Sequence, residues 1–106
     1  MFQKDLLKGK RALITGGGTG IGKNIGHRYA QLGAALVICG RRLEKLEETK
    51  AEFEKDTDAK VSVHSCDVRD PEAVETMMAD IWAGGPLDIL VNNAAGNFIA
   101  QTHTLS

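Results

Sequence analysis

Between Arg11 and Gly22 the chain reads RALITGGGTGIG, and few folds accommodate such a run. A short apolar stretch, Ala12-Leu13-Ile14, stops at Thr15 and gives way to glycines at 16, 17, 18, 20 and 22. Beyond it Ile21, Ile25, Tyr29 and Leu32 recur at helical spacing. The order is strand, glycine turn, helix. Glycine accepts positive φ and has no Cβ, so such a turn can bend sharply and bring backbone amides against a ligand phosphate. Amides that open a helix are unpaired and lie at the positive end of its dipole, which makes that end an anion site. The ligand predicted from this arrangement is a dinucleotide pyrophosphate. A glycine cluster by itself is more often a plain turn; here the strand before it and the periodic helix after it favour the nucleotide.

At 106 residues the chain has room for one domain with one ordinary core, and no linker, repeat or low-complexity stretch divides it. With 42% hydrophobic residues, 25% charged residues and a net charge of -1, it has no basic excess to attract nucleic acid or an anionic membrane. No apolar run approaches the ~18 residues of a membrane span. The stretch from Met1 to Lys10 lacks the apolar core of a signal peptide, and the expected location is the cytoplasm. No metal spacing exists, because His27, His64 and His103 are scattered and the two cysteines are far apart. Cys39 and Cys66 each fall near the end of a predicted strand, and in an intracellular chain they are expected as buried free thiols.

Taken in order, the first helix is predicted over about 20–32, with Gly33 as its stop. Gly22 and Gly26, one turn apart, leave a bare stripe suited to close packing against a sheet or cofactor. Residues 35–39 form an unbroken apolar run of the kind buried on both faces in a parallel sheet. A second helix follows, with Leu43, Leu46 and Phe53 on its core side and Glu47/Lys50 and Glu52/Lys55 as exposed pairs. A third strand is predicted over 60–66. Asp70-Pro71 opens the third helix, the carboxylate as N-cap and the proline at the first helical position. Val74, Met77, Met78 and Ile81 form its buried stripe, Gly84-Gly85-Pro86 ends it, and a fourth strand apolar on both faces covers 87–91. Strand and helix alternate with connections long enough for right-handed crossovers. The fold class is therefore α/β, with flanking helices and a parallel sheet of order 3-2-1-4.

The spacing of the turn narrows the ligand class. No register of residues 16–22 fits the common Gly-x-Gly-x-x-Gly fingerprint, whereas Thr15, Gly16, Gly20 and Gly22 fit Thr-Gly-x-x-x-Gly-x-Gly. In this the chain resembles the short-chain dehydrogenase/reductase family, and the resemblance covers essentially all of its length. It implies a Rossmann-type domain incomplete at its C-terminal side, of which residues 1–106 are the N-terminal, NADP-binding part, with Gly16, Gly17, Gly18, Thr19, Gly20 and Ile21 against the cofactor. In NAD-binding domains of this type an acidic side chain about 20 residues beyond the turn holds the ribose hydroxyls, whereas arginine there meets the 2′-phosphate of NADP. Gly40-Arg41-Arg42 supplies no carboxylate and two guanidiniums. Arg41 comes directly off the strand end and its forked donors suit a phosphate. The expected cofactor is NADP(H).

Further features match the same family. In Cys66-Asp67-Val68-Arg69-Asp70 the resemblance places Asp67 and Val68 along the adenine, with Asp67 accepting from the exocyclic amine. Asn92-Asn93-Ala94-Ala95-Gly96 matches the signature Asn-Asn-Ala-Gly with one extra alanine. It implies that Asn93, Ala94 and Ala95 wall the adenosine ribose while Asn92 braces neighbouring strands. The extension through Asn97 and Phe98 is similar to the 2,4-dienoyl-CoA reductases of the family, as are the Gly-Gly-Gly-Thr-Gly and Cys-Asp-Val-Arg-Asp runs. Those enzymes use NADPH to reduce a 2,4-dienoyl-CoA to a 3-enoyl-CoA in unsaturated fatty acid β-oxidation. A donor aimed at the thioester oxygen stabilises the dienolate that forms. Asn97 matches that catalytic donor, and Arg69, Phe98 and Ser106 match positions lining the acyl-CoA path. The implied partners are an acyl-CoA thioester and, for the full-length protein, further copies in a tetramer. A peroxisomal or mitochondrial address is the implied alternative to the cytoplasm.

The family carries Tyr-x-x-x-Lys well beyond the fourth strand, but the only tyrosine here is Tyr29, and four places on stands Gly33. The chain is therefore expected to be the N-terminal, adenosine-binding portion of an enzyme of ~250 residues, a size within the range of one α/β domain, and to be inactive alone. Two alternatives stand beside the dienoyl reading: a 3-oxoacyl or other carbonyl reductase of the family, and a truncated non-catalytic nucleotide-binding protein. An open reading frame with Tyr-x-x-x-Lys after the Ser106 codon would establish an enzyme, and a stop there would leave the non-catalytic reading.

Overall fold

Apolar strand segments alternate with amphipathic helices and close into one parallel sheet. The computed structural model describes residues 5–18 and 20–93. Its elements are β1 (Arg11–Thr15), α1 (Gly20–Gln31), β2 (Ala35–Gly40), α2 (Leu43–Asp56), β3 (Val61–Ser65), α3 (Pro71–Ala83) and β4 (Ile89–Asn92). The strand order is β3-β2-β1-β4, as expected, and every neighbouring pair is parallel. Ile14 is registered with Ile38 on one side and Val91 on the other.

Side chains alternate across a strand, so β1 and β2 feed two cores. Ala12, Ile14, Leu36 and Ile38 face α1 and α2, where Ala30, Leu46 and Phe53 close over them. Leu13, Val37 and Cys39 face α3, where Met77, Met78 and Ile81 do the same. The third helix opens as its sequence dictates: the Asp70 carboxylate accepts from the amides of Glu72 at 3.1 Å and Ala73 at 3.3 Å, with the proline just inside. β4 divides its apolar residues in the same way, Ile89 and Val91 toward the first core and Leu90 toward the second.

Four expectations are corrected. The residues α1 turns to the sheet are Gly22, Gly26 and Ala30, while Ile21 is 68% exposed and Ile25 and Tyr29 flank the core half-buried. Small side chains let the helix come so close that nothing larger fits beneath: a Cβ on Gly26 would lie 2.9 Å from Phe53 Cε2. In α2 the buried positions are Leu46, Thr49 and Phe53, and Leu43 is 47% exposed at the first turn. Glu52 pairs across to Lys23 of α1 at 2.8 Å rather than along its own helix. β4 begins at Ile89 rather than at 87, because the Asp88 carboxylate is engaged by the Arg11 amide at 2.9 Å. The Arg11 guanidinium in turn donates to the carbonyls of Ile81 and Gly85 at 2.8 and 2.7 Å. Cations favour helix C-termini, and this one ties the end of α3 to the start of β1.

Cys39 and Cys66 are free and buried, and burial pushes the Cys39 thiol up to about 12. Phe53 is fully buried between α1 and the sheet. In the protein that carries this chain, Phe53→Ala is expected to cost about 3–5 kcal/mol, read as a fall in the urea midpoint with unchanged slope; a loss below 1 kcal/mol would show that the first core does not depend on it.

Candidate nucleotide site

The glycine turn leaves β1 at Gly16, whose φ of 67° is open to glycine at little cost. The Gly16 amide donates to the Cys39 carbonyl at 2.9 Å and that of Gly17 to the same oxygen at 3.4 Å. Those two amides therefore hold the loop on β2. The donors left for a ligand come later, at the opening of α1, where the first amides of a helix have no intrahelical acceptor. The first turn of α1 carries no acidic residue, and Gly20 and Ile21 stand exposed. Gly22 is buried, and a Cβ there would meet the Gly16 carbonyl oxygen and lie 2.7 Å from Asn93 Nδ2. Positive helix end, absence of carboxylate and solvent access together fit an anionic group such as a pyrophosphate.

Two hydroxyls lock this loop. Fully buried Thr15 accepts the Asn93 amide at 2.8 Å and donates to Asn92 Oδ1 at 3.2 Å, with the Val91 carbonyl an alternative acceptor at 3.4 Å. The ends of β1 and β4 are thereby joined, which is the bracing that the resemblance implied for Asn92. Thr49 Oγ1, on α2, donates to the Gly18 carbonyl at 3.1 Å. Sequence reasoning missed Thr49. The signal was a polar residue between Leu46 and Phe53 on a buried stripe, where a hydroxyl needs a partner.

The rim beyond β2 carries the charged residues. Arg41 is exposed, and its guanidinium has no hydrogen-bond or ion-pair partner among the described residues, while its carbonyl accepts from Ser65 Oγ at 3.3 Å. Arg42 is engaged by Glu44, with Nε to Oε1 at 3.3 Å. After β3, the Arg69 guanidinium hydrogen-bonds Asp67 and holds its carboxyl down to about 2. A depressed carboxyl stabilises the fold above the ordinary carboxylate range, and that contribution is lost as pH falls from about 4 toward 2. Val68, half-buried, packs against the α3-side core. The structure thus brings the glycine turn, Ile21, Arg41, Asp67, Val68 and Asn93 to the C-terminal ends of the four strands. Ligands of open parallel sheets bind at this edge. Thr19, Ala94, Ala95, Asn97, Phe98 and Ser106 lie outside the described residues.

The fold is an open parallel sheet of the doubly wound α/β class. Residues 10–106 match the short chain dehydrogenase family, and the chain belongs to it. The family binds nicotinamide cofactors. The chain is 51% identical over 102 residues to a Caenorhabditis elegans protein named "Probable 2,4-dienoyl-CoA reductase 3", covering 94% of this chain and 33% of that protein. It is 40% identical to the "Peroxisomal 2,4-dienoyl-CoA reductase" of Arabidopsis thaliana, covering 99% and 35%. The chain thus spans about a third of the length of these relatives. Among solved structures, a citronellol catabolism dehydrogenase from Pseudomonas aeruginosa superposes with a TM-score of 0.85 at 43% identity, over 96% of this chain and 44% of that one. L-Sorbose reductase from Gluconobacter frateurii, complexed with NADPH and L-sorbose, superposes with a TM-score of 0.82 at 30% identity, over 97% and 40%. Both carry the same arrangement of elements. No described helix is long and apolar enough to cross a membrane.

Thr15→Val keeps the shape of the side chain and removes both bonds, leaving the Asn93 amide without its acceptor. The expected cost is about 1–3 kcal/mol, together with weakened nucleotide affinity as the β1 and β4 ends separate. Paired urea unfolding and cofactor titration check it; unchanged stability would mean that the hydroxyl does not hold the edge.

Proposed function

We propose that this chain is the N-terminal, cofactor-binding part of an NADPH-dependent 2,4-dienoyl-CoA reductase, which reduces a 2,4-dienoyl-CoA to a 3-enoyl-CoA. The observation that carries the reading is the run Asn92-Asn93-Ala94-Ala95-Gly96-Asn97-Phe98 in a chain 51% identical to a protein of that name. Gly16, Gly17, Gly18, Thr19, Gly20 and Ile21 surround the pyrophosphate, the amides opening α1 as its donors and those of Gly16 and Gly17 holding the turn on β2. Asp67 and Val68 take the adenine, and Asn93, Ala94 and Ala95 the adenosine ribose. Arg41, with its guanidinium uncommitted, takes the 2′-phosphate. The cofactor when bound supplies the hydride. Asn97 donates a hydrogen bond to the thioester oxygen, where charge gathers as the diene accepts the hydride, and Arg69, Phe98 and Ser106 line the acyl-CoA path. The whole protein is proposed to be a homotetramer, in the cytoplasm or in an organelle such as the peroxisome named for the Arabidopsis relative.

A second reading is a carbonyl or 3-oxoacyl reductase of the same family. The 43% identity to a citronellol catabolism dehydrogenase favours it, because the cofactor motifs are shared across substrates.

Arg41→Ala is expected to weaken NADPH binding by roughly 1.5–3 kcal/mol, the range for a hydrogen bond to a charged group, with little effect on NADH. Titration of both cofactors tests it, and an equal loss for NADH would sink the NADP assignment. Asn97→Ala is expected to lower kcat on a 2,4-dienoyl-CoA by about 10²–10³, as loss of one oxyanion donor does, with NADPH affinity nearly unchanged. Activity surviving within a few-fold, or preference for 3-oxoacyl substrates, would replace the dienoyl reading with the second one.

A further inference from the structure

At the mouth after β3 a carboxylate and a guanidinium two residues apart hold each other. Asp67 Oδ1 accepts from the Arg69 backbone amide at 2.9 Å and from Nε at 3.1 Å, and Oδ2 accepts from Nη2 at 3.0 Å. An ionised carboxylate has about four lone-pair positions. Two on Oδ1 and one on Oδ2 are taken, so the position left is on Oδ2. We infer that Arg69 is a positioning residue for the cofactor, fixing the Asp67 carboxylate so that a single acceptor position on Oδ2 is kept for the exocyclic amine of the adenine. The inference rests on the assignment of Asp67 to the adenine made above.

The groups around the pair favour this division of labour. Arg41, just past the end of β2, attracts the Asp67 carboxylate through space, and Cys66 beside it is a buried thiol pushed up by burial. Asp70 is committed to the amides that open α3. Among the described residues, direct bonds to the Asp67 carboxylate come from Arg69 alone, while the Asp67 carbonyl accepts the Asp70 amide at 3.0 Å. Both side chains are substantially exposed, at 39% for Asp67 and 64% for Arg69, so the pair adds little to folding stability. Its effect lies in orientation: without the fork, the short carboxylate rotates and is hydrated, and a ligand must order it on binding. A role confined to the acyl-CoA path makes no such demand on the cofactor.

The test uses the protein that carries this chain, as wild type, Asp67→Ala, Arg69→Ala and the double variant. Each is titrated with NADPH and with its hypoxanthine analogue, which lacks the exocyclic amine. Wild type is expected to prefer NADPH by about tenfold or more, the scale of a hydrogen bond to a charged group. Asp67→Ala is expected to abolish the preference. Arg69→Ala should reduce it several-fold yet change NADPH affinity by less than twofold when Asp67 is already absent. If Arg69→Ala keeps the full preference while Asp67→Ala loses it, the positioning role is overturned and the adenine assignment stands. Preference retained in Asp67→Ala would overturn the adenine assignment, and the inference with it. An effect of Arg69→Ala seen only in the KM for an acyl-CoA would also overturn the positioning role.

Discussion

The approach of α1 to the end of β1 is the constraint on which the rest of the molecule depends. Gly22 lies against the Gly16 carbonyl and beside Asn93, and one turn later Gly26 lies against Phe53. With no side chain at Gly22 between helix and turn, the amides opening α1 stand directly above the strand ends, where an anion can reach them. One turn on, Gly26 leaves room for Phe53, so that α2, packed mainly on β2 and β3, also touches α1. Thr15 then fixes β4 to the opposite side of the turn. One short contact thereby sets the position of both neighbouring strand ends.

Much of this was legible because it is local chemistry. An apolar run that breaks into glycines, a carboxylate followed by proline, and a β2 segment apolar throughout each dictate their own structure, and the parallel order follows from alternation. The element types and strand order emerged as expected for that reason. Of the candidate site, placement alone was legible in this way. The glycine turn, Arg41 and Asp67 are brought to one edge, although the free state of one arginine and the engagement of the other by Glu44 depend on side-chain geometry that spacing does not carry.

What stayed hidden was the rotation of helices about their axes and the pairing of distant groups. Periodicity says that Ile21, Ile25 and Tyr29 share a face, yet the face α1 turns down is chosen by how near the backbone can come, and glycines win that choice. Leu43 failed for a related reason, since a helix start at the strand ends projects beyond the core rather than lying over it. Asp88 reads as part of a strand until its partner, 77 residues away at Arg11, is in place. Thr49 reads as a weak spot in an apolar stripe until the Gly18 carbonyl is set opposite it.

That last bond gives the molecule a gauge. Leu46 is buried in the first core and Thr49 is hooked to the glycine loop, so α2 cannot slide along its axis without carrying the loop with it. Its opening, just after Arg41 and Arg42, is therefore kept at a set span from the hooked residue, about 9 Å of helix by the ordinary rise per residue. The separation between the glycine loop and the residues that follow β2 is thus set inside the fold, by a side chain that itself faces no solvent.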